Sequence, residues 1–304
     1  MDLKQLTSLV ALSESGFNVT DTAERLCLVQ SAVSQHLAKL EQELGTQLFV
    51  RKGKRLVALT AAGEEVLNHA RQALAIRENI LSIGRDHVEE ASGILRIGTT
   101  HTQARYVLPP VIRVFRQIFP AVSLQIHQGT PQQLVEMALT DRVDFSICTE
   151  ELGEHSSLTA IPCYRWNRSL IAPEDHPILE RGALSLEAIC DYPMITYTFG
   201  FTGANHMQTT FARAGLRPEV VLTAADTDVI KTYVREGLGI GLIASMAYST
   251  DQDRDLVIRD LSNLLPWETT WVAYYKDKYL RRFQQRFIDL LDEMVLENGV
   301  TKPS

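Results

Sequence analysis

The hydrophobic pattern changes period at Gly93, and that change divides the chain into two kinds of structure. Before it, apolar residues keep the three-and-four spacing of helices, broken once by two short strand-like runs. After it, short apolar runs alternate with helical stretches: Ile94 to Ile97, Val122 to Ile126, Val143 to Cys148, Pro193 to Tyr197, Val220 to Thr223 and Ile240 to Ala244. Helical patterns over Arg105–Phe119, Gln132–Leu139, Asn205–Ala214 and Asp228–Glu236 separate most of these runs. Strands alternating with helices predict a mostly parallel, doubly wound α/β region. A last helix, Tyr279 to Glu297, closes the chain.

The first 60 residues read as three helices and a small wing. Leu3, Leu6, Leu9, Val10 and Leu12 give the first helix one apolar face, and Gly16 ends it. Asn18 or Thr20 suits the N-cap of a second, short helix. Ser31 is positioned to cap a third, running from Ala32 to Leu44, with Val33, Leu37, Leu40 and Leu44 on its buried face and Gly45 as its stop. Leu48–Val50 and Leu56–Leu59 read as two strands joined by the basic turn Arg51-Lys52-Gly53-Lys54-Arg55.

Thr60 caps the next helix, which runs to about Val88. Leu67, Leu74, Leu81 and Val88 recur every seven residues along it, a pattern that fits a dimer seam. Packing against its own domain would use the same stripe, and Arg77 beside it makes the seam imperfect. The domain plan expected is therefore 1–59 for the DNA-binding part, 60–90 for a linker helix and 91–304 for an effector-binding part. The last divides into subdomain I (about 91–163 and 267–304) and subdomain II (about 164–266).

The third helix carries the chemistry of a DNA reader. Gln30, Ser31, Ser34, Gln35 and Lys39 gather on its polar side; short hydroxyls and amides suit base edges or phosphates, and a lysine suits a phosphate. Arg51, Lys52 and Lys54 in the wing fit a phosphate clamp, although a charged turn can equally be a solvated one. The net charge of −7 does not oppose this, because residues 1–60 hold seven Lys/Arg against six Asp/Glu and the remainder holds 23 against 31. Salt screens distant charge within about 10 Å, so the local balance decides at a phosphate backbone.

Other classes fall away on composition. No run of about 18 apolar residues predicts a membrane span, and the N-terminus goes straight into an amphipathic helix instead of a signal peptide, which predicts a cytoplasmic protein. Cys27, Cys148, Cys163 and Cys190 are scattered among apolar neighbours without a metal-ligand spacing, and read as buried thiols. Neither a metal nor a cofactor is expected. The one glycine-rich run, Gly237 to Gly241, precedes a strand instead of opening a helix, the wrong context for a phosphate-cradling loop. His101 and His127 could act as general bases but read more simply as structural, and no catalytic set assembles, so enzyme activity is not expected.

Three segments in the α/β region are rich in hydroxyls and amides just where strands end: Thr99-Thr100-His101-Thr102-Gln103, Thr149-Glu150, and Thr196 to Gly203. Ligands in open α/β sheets sit beyond the carboxyl ends of strands, and helix N-termini there favour anions. Neutral donors of this kind predict a small polar anion or zwitterion; helix capping by each threonine is the alternative.

Residues 1–63 resemble the winged helix-turn-helix of the LysR-type transcriptional regulators. The resemblance is carried by "TAERLCLVQSAVSQHLAKLEQELGTQLFVR" (22–51) and "LTAAGE" (59–64), with Gln30, Ser31, Ser34, Glu41, Gly45, Phe49, Thr60 and Gly63 in family spacing. It implies a dimerising linker helix and a periplasmic-binding-protein-like effector domain of two subdomains. Within the family, "TTHTQARY" (99–106), "HQGTPQQ" (127–133), "PCYRWNRS" (162–169), "YPMITYTFGFTG" (192–203) and "DVIKTYVREGLGIGLIASMA" (228–247) are similar to the CysB/Cbl-like subgroup of cysteine-regulon activators.

That similarity implies a regulator of sulfur assimilation and cysteine biosynthesis. Thr100, Thr102, Gln103, Thr149, Thr202 and Gly203 would hold an anion or carboxylate, with Trp166 close to the cleft. The inducer would be acetylserine-like, with sulfate or a sulfur metabolite competing; adenosine phosphosulfate is the alternative input. Promoter DNA, RNA polymerase and a homodimer or homotetramer are the implied partners. Gln35 and Ala204 depart from the subgroup, which commonly has a basic residue at the first position and an arginine at the second.

Overall fold

The computed structural model describes all residues except 54, 89–91, 150–154, 199–203 and 298–304. It divides into two compact units, residues 1–88 with 277–279, and the rest.

In the first unit α1 (Leu3–Glu14) opens with a capping box: the Asp2 carboxylate accepts the Gln5 N–H at 2.9 Å while the Gln5 side chain accepts the Asp2 N–H. Asn18 caps α2 (Val19–Arg25). Helix α3 (Gln30–Leu44) ends at Gly45, whose φ of +64° a side chain would disfavour. Ser31 does not cap it, contrary to expectation. The Leu28 N–H bonds to the Ala23 carbonyl at 2.8 Å, and Val29 stays extended as an N-cap without a side-chain bond. The first helical residue is thus Gln30, and the Ser31 hydroxyl is inside the first turn, released from capping.

Strands β1 (Phe49–Lys52) and β2 (Arg55–Leu59) form the wing, with Phe49 opposite Leu59. Thr60 then caps α4 (Ala61–Val88), its hydroxyl accepting the Gly63 N–H at 3.0 Å. The core of the unit joins Leu6, Leu9, Leu12, Val33, Leu37, Leu40, Leu48, Phe49 and Leu67. The heptad of α4 is therefore split. Leu67 is buried and Leu74 partly so against this core, whereas Leu81 is 43% exposed, and Ile76, Ile80 and Ile83 beside it are also exposed. Cys27 departs from its expectation too: a left-handed turn (φ +53°) puts it on the surface, while Cys148 and Cys163 are buried and Cys190 is half-buried.

The second unit contains two five-stranded sheets. In the first, β3 (Gly93–Thr99) lies parallel to β4 (Val122–Gln128) and β5 (Phe145–Cys148). Strand β12 (Glu268–Tyr275) runs antiparallel between β5 and β6 (Leu158–Trp166). In the second, β8 (Met194–Tyr197) lies parallel to β9 (Val220–Ala224) and β10 (Ile240–Ala244). Strand β7 (Arg168–Pro173) runs antiparallel to β10 and to β11 (Leu256–Asp260).

Half of the pairings are thus antiparallel, where a mostly parallel sheet was expected. Strands β6, β7, β11 and β12 carry the antiparallel pairs. They follow one another without an intervening α-helix at the two points where the chain passes between sheets, at Asn167 and between Asp260 and Glu268. On the first sheet, α5 (Leu108–Ile118) and α10 (Arg282–Glu297) pack Phe115 against Phe287, ring centroids 5.2 Å apart, over Leu95, Ile97, Phe145 and Val272. α6 (Pro131–Leu139) packs on the same sheet. The second sheet is covered by α7 (Leu186–Cys190), α8 (Ala204–Arg213) and α9 (Thr227–Arg235). The glycine run before β10 has a packing role: Gly239 sits at φ +152°, and a Cβ there would strike the Pro193 carbonyl. Among the described residues no helix is long and apolar enough to cross a membrane.

Candidate functional site

The polar side of α3 is presented as its sequence implies. Gln30, Ser31, Ser34, Gln35 and Lys39 are exposed, while Val33, Leu37 and Leu40 are buried beneath them. The helix is fixed to α1 by a 2.8 Å hydrogen bond between Ser8 Oγ and His36 Nδ1. In the wing, Lys52 is exposed and Arg51 is committed to the scaffold. Its guanidinium meets Glu41 at 2.6 Å, and the same carboxylate accepts the Leu48 and Phe49 N–H groups. Arg51 therefore orients the wing on α3 at least as much as it offers charge. Lys54 lies outside the described residues.

The second candidate site lies at the carboxyl ends of β3 and β5, which are parallel neighbours. After Thr99 the chain turns into a helix at once, burying Thr100, Thr102 and Gln103. Residues 103–107 are wound as a π-helix, the Leu108 N–H bonding to the Gln103 carbonyl, before α5 begins. Pro109 and Pro110 explain the winding: without N–H groups they cannot return α-helical bonds to Arg105 and Tyr106. The expected helix from Arg105 is accordingly two helices of different pitch. The Thr102 hydroxyl is 1% exposed and close to the Tyr197 hydroxyl, and among the described residues it has no hydrogen-bond partner of normal geometry.

Gln103, Thr149 and Trp166, far apart in sequence, are drawn into one network by Thr270, a residue in the interior of β12. The Gln103 amide donates to Thr270 Oγ1 at 3.4 Å, Thr149 Oγ1 lies 3.4 Å from the same atom, and Trp166 Nε1 donates to Thr149 Oγ1 at 3.3 Å. Tyr164, opposite Thr270 in the β6–β12 register, donates its hydroxyl to the Gln103 carbonyl oxygen. Burial pushes the Tyr164 phenol far up, so it keeps its proton. Thr270 and Tyr164 sit within strands where no end or turn marks them. The signal for Thr270 is period two: Glu268, Thr270 and Val272 are buried on one face of β12.

Below Trp166 the Arg168 guanidinium stacks at 5.2 Å from the ring and pairs with Glu268 at 2.9 Å. Glu268 also meets His206 of α8 at 2.8 Å. Thr202 and Gly203, expected to hold the anion with the others, lie outside the described residues, as does Glu150. His127 on β4 and His101 are both half-buried, His101 Nε2 lying 3.9 Å from the Asp228 carboxylate.

The two sheets' halves are also joined across the π-turn. Asp228 of α9 accepts from the Tyr106 hydroxyl at 2.7 Å and from Arg105 at 2.6 Å, with His101 Nε2 at 3.9 Å and Lys231 reaching Tyr106 at 3.4 Å. His101, Asp226 and Asp228 offer ligand atoms within 4.8 Å of one another. Their carboxylates are already engaged, Asp226 by capping α9 at the Val229 N–H and Asp228 by Arg105 and Tyr106, so this group is accounted for as a junction.

Comparison with known proteins agrees with both halves. Residues 3–64 match the bacterial regulatory helix-turn-helix protein family of LysR type, and residues 89–295 match the LysR substrate binding domain. The chain is 42% identical over 290 residues to the HTH-type transcriptional regulator SsuR of Burkholderia cenocepacia, covering 95% of this chain and 94% of that one. It is 40% identical to the regulator cbl of Escherichia coli, covering 95% of this chain and 92% of that one. It is likewise 40% identical to the regulator CysB of Haemophilus influenzae, covering 99% and 93%. The crystal structure of the cofactor-binding domain of the Cbl transcriptional regulator superposes with a TM-score of 0.65 at 39% identity, over 71% of this chain and 96% of that one. A full-length OxyR variant from Pseudomonas aeruginosa superposes over 100% and 99% with a TM-score of 0.77, a likeness of fold at 20% identity.

Proposed function

The chain belongs to the LysR family of transcriptional regulators, and on that premise we propose that it controls sulfur-assimilation and cysteine-biosynthesis promoters in response to a small anionic effector. The observation that carries the reading is a hydrogen-bonded chain at the carboxyl ends of two parallel strands: Gln103 and Thr149 both reach the buried Thr270 hydroxyl, Trp166 reaches Thr149, and the Thr102 hydroxyl is buried beside them. Such a place takes oxygen atoms of a carboxylate or sulfate. An acetylserine-like inducer fits this chemistry, with sulfate as a competing ligand. Thr100, Thr102, Gln103, Thr149 and Trp166 supply one wall, and the family resemblance adds Thr202 and Gly203 as candidate ligand contacts.

On the DNA side, α3 enters the major groove with Gln30, Ser31, Ser34 and Gln35 near base edges and Lys39 at a phosphate, while Lys52 and Lys54 follow the backbone. The protein acts in the cytoplasm as a homodimer or homotetramer. Paired recognition helices fit half-sites about 34 Å apart or a multiple of that. Effector binding shifts the population between arrangements of the dimers and so alters DNA bending and contact with RNA polymerase.

The test is thermal stability against O-acetylserine, N-acetylserine, sulfate, thiosulfate and adenosine phosphosulfate, since a ligand that binds the folded state raises its melting temperature. A shift with acetylserine or sulfate supports the reading. A shift with adenosine phosphosulfate alone replaces the input, and no shift with any of the five ends the proposal for this cleft.

A further inference from the structure

The start of α9 meets the segment that carries the cleft wall, Thr99 to Tyr106, from the other half of the domain. Three of its residues take part. Thr227 Oγ1 lies 2.6 Å from the buried Tyr197 hydroxyl, which also receives the Ala244 N–H at 3.1 Å and lies close to Thr102. Asp228 holds the outer side: one carboxylate oxygen accepts the Tyr106 hydroxyl at 2.7 Å and the other accepts Arg105 Nε at 2.6 Å. Lys231, buried one turn further on, places its ammonium 5.0 Å from the centre of the Tyr106 ring and is itself fixed by Asp253 at 2.6 Å. Tyr106 is thus held between a carboxylate and an ammonium of the same helix. The turn it belongs to needs such a hold. With proline at 109 and 110, the Arg105 and Tyr106 carbonyls receive no α-helical hydrogen bond, so side-chain contacts weigh more in fixing where the turn lies.

From this we propose that Asp228 is a positioning residue of the effector site: it straps the turn of residues 101–106 to α9 and so holds Thr100, Thr102 and Gln103 in place to receive an anion. Asp228 acts through the turn, its carboxylate being directed at Arg105 and Tyr106. Because Arg105 pairs with it, the carboxylate adds no net negative charge beside a site that takes an anion. The strap also ties the wall to the second sheet, since Ile230 and Val234 of α9 share a core with Ile195 and Ile243 of that sheet. The inference rests on the cleft being the effector site, as proposed above.

The experiment combines calorimetric titration with amide hydrogen exchange on the full-length protein, using sulfate and, separately, O-acetylserine as probes. Tyr106→Phe keeps the ring beside Lys231 and removes the hydroxyl that Asp228 accepts. It should weaken both probes by about fivefold, the value of one part-exposed hydrogen bond, and should speed exchange in the first turn of α9. Asp228→Ala leaves α9 capped by Asp226 and should weaken both probes at least as much. The sign is the decisive point. On charge alone, removing a carboxylate near an anion site strengthens anion binding, whereas loss of the strap weakens it. If the two residues act as one strap, adding Tyr106→Phe to Asp228→Ala costs little more than Asp228→Ala alone.

Sulfate affinity that is unchanged or tighter in Asp228→Ala, or effects of the two substitutions that simply multiply, would overturn the strap while leaving the cleft as the site. Exchange in the first turn of α9 that Tyr106→Phe does not alter overturns it too, because a strap holds both of its ends. A parent protein that binds neither probe overturns the reading of the cleft, and the positioning role with it. Should Asp228→Ala fail to fold, Asp228→Asn takes its place, keeping the shape of the side chain without its charge. It should weaken both probes, and unchanged or tighter binding refutes the assignment.

Discussion

The guanidinium of Arg168 and the carboxylate of Glu268 meet at 2.9 Å with 0% and 2% of their side chains exposed, one on a strand of each sheet. A buried pair is weak as a source of stability but expensive to break, because the survivor is left as an uncompensated charge. Glu268→Ala should therefore destabilise the effector domain by about 3–5 kcal/mol in urea denaturation. Replacing both residues by apolar ones of similar size, Arg168→Met with Glu268→Leu, should recover most of that loss. A Glu268→Ala variant as stable as the parent would show that water already reaches the pair.

Acid should weaken the second sheet's domain through Asp253. Burial alone would raise its pKa, but Lys231 at 2.6 Å, the Ser249 N–H at 2.9 Å and Arg235 at 2.9 Å outweigh burial and hold the carboxyl below the ordinary aspartate value of 3.8. A depressed folded-state pKa contributes stability that is present above 3.8 and is lost as pH falls below it toward the folded value. Measured unfolding free energy should accordingly be flat in this contribution from neutrality down to about pH 5 and decline below about pH 4. Asp253→Asn should lower stability at neutral pH and remove part of that acid slope.

Lys39 and Gln35 make separable contributions to DNA binding. Lys39→Ala should weaken binding to all sequences alike and reduce the slope of log affinity against log salt by about 1. Gln35→Ala should leave the salt slope alone and flatten the base preference at one position, with a cost of about 1–3 kcal/mol at the preferred site. Fluorescence anisotropy on operator and scrambled duplexes at several salt concentrations separates the two.

Legibility in the sequence followed local marks. The caps at Asn18 and Thr60, the glycine stop at Gly45 and the strands that open into helices were readable, because each has a residue type tied to a backbone need, whereas the cap expected of Ser31 was not found. Antiparallel strands β6, β7, β11 and β12 were not readable, since β6 runs into β7 and β11 into β12 with no α-helix between them to impose an alternation, and Pro162 within β6 argues against a strand. The same division holds in the cleft. Thr100, Thr102, Gln103 and Thr149 stand at strand ends, where a polar run is conspicuous. Thr270 and Tyr164 are placed there by cross-strand register, a long-range property that residue order does not display.

The exposed half of α4 should be what holds two copies together. Ile80 is 64% exposed, with Ile76 and Leu81 beside it, whereas Leu67 is spent on its own unit's core. Ile80→Glu removes an apolar contact twice in a two-fold dimer, about 3 kcal/mol or more, and so should raise the dimer dissociation constant about a hundredfold or more. Sedimentation velocity over a concentration series checks this. A dimer as tight as the parent's would place the interface elsewhere.

The return of β12 from one sheet to the other also sets an order in time. The winged helix-turn-helix family match closes at residue 64, whereas the sheet that bears Thr149 and Trp166 lacks its inner strand until residue 275 has been made. At about 5–20 residues per second that interval is on the order of ten seconds or more. Each nascent chain thus finishes its DNA-reading end well before its sensor. A message cut short between the linker helix and β12 would deliver a reader that can find its operator but has no complete wall with which to answer an effector.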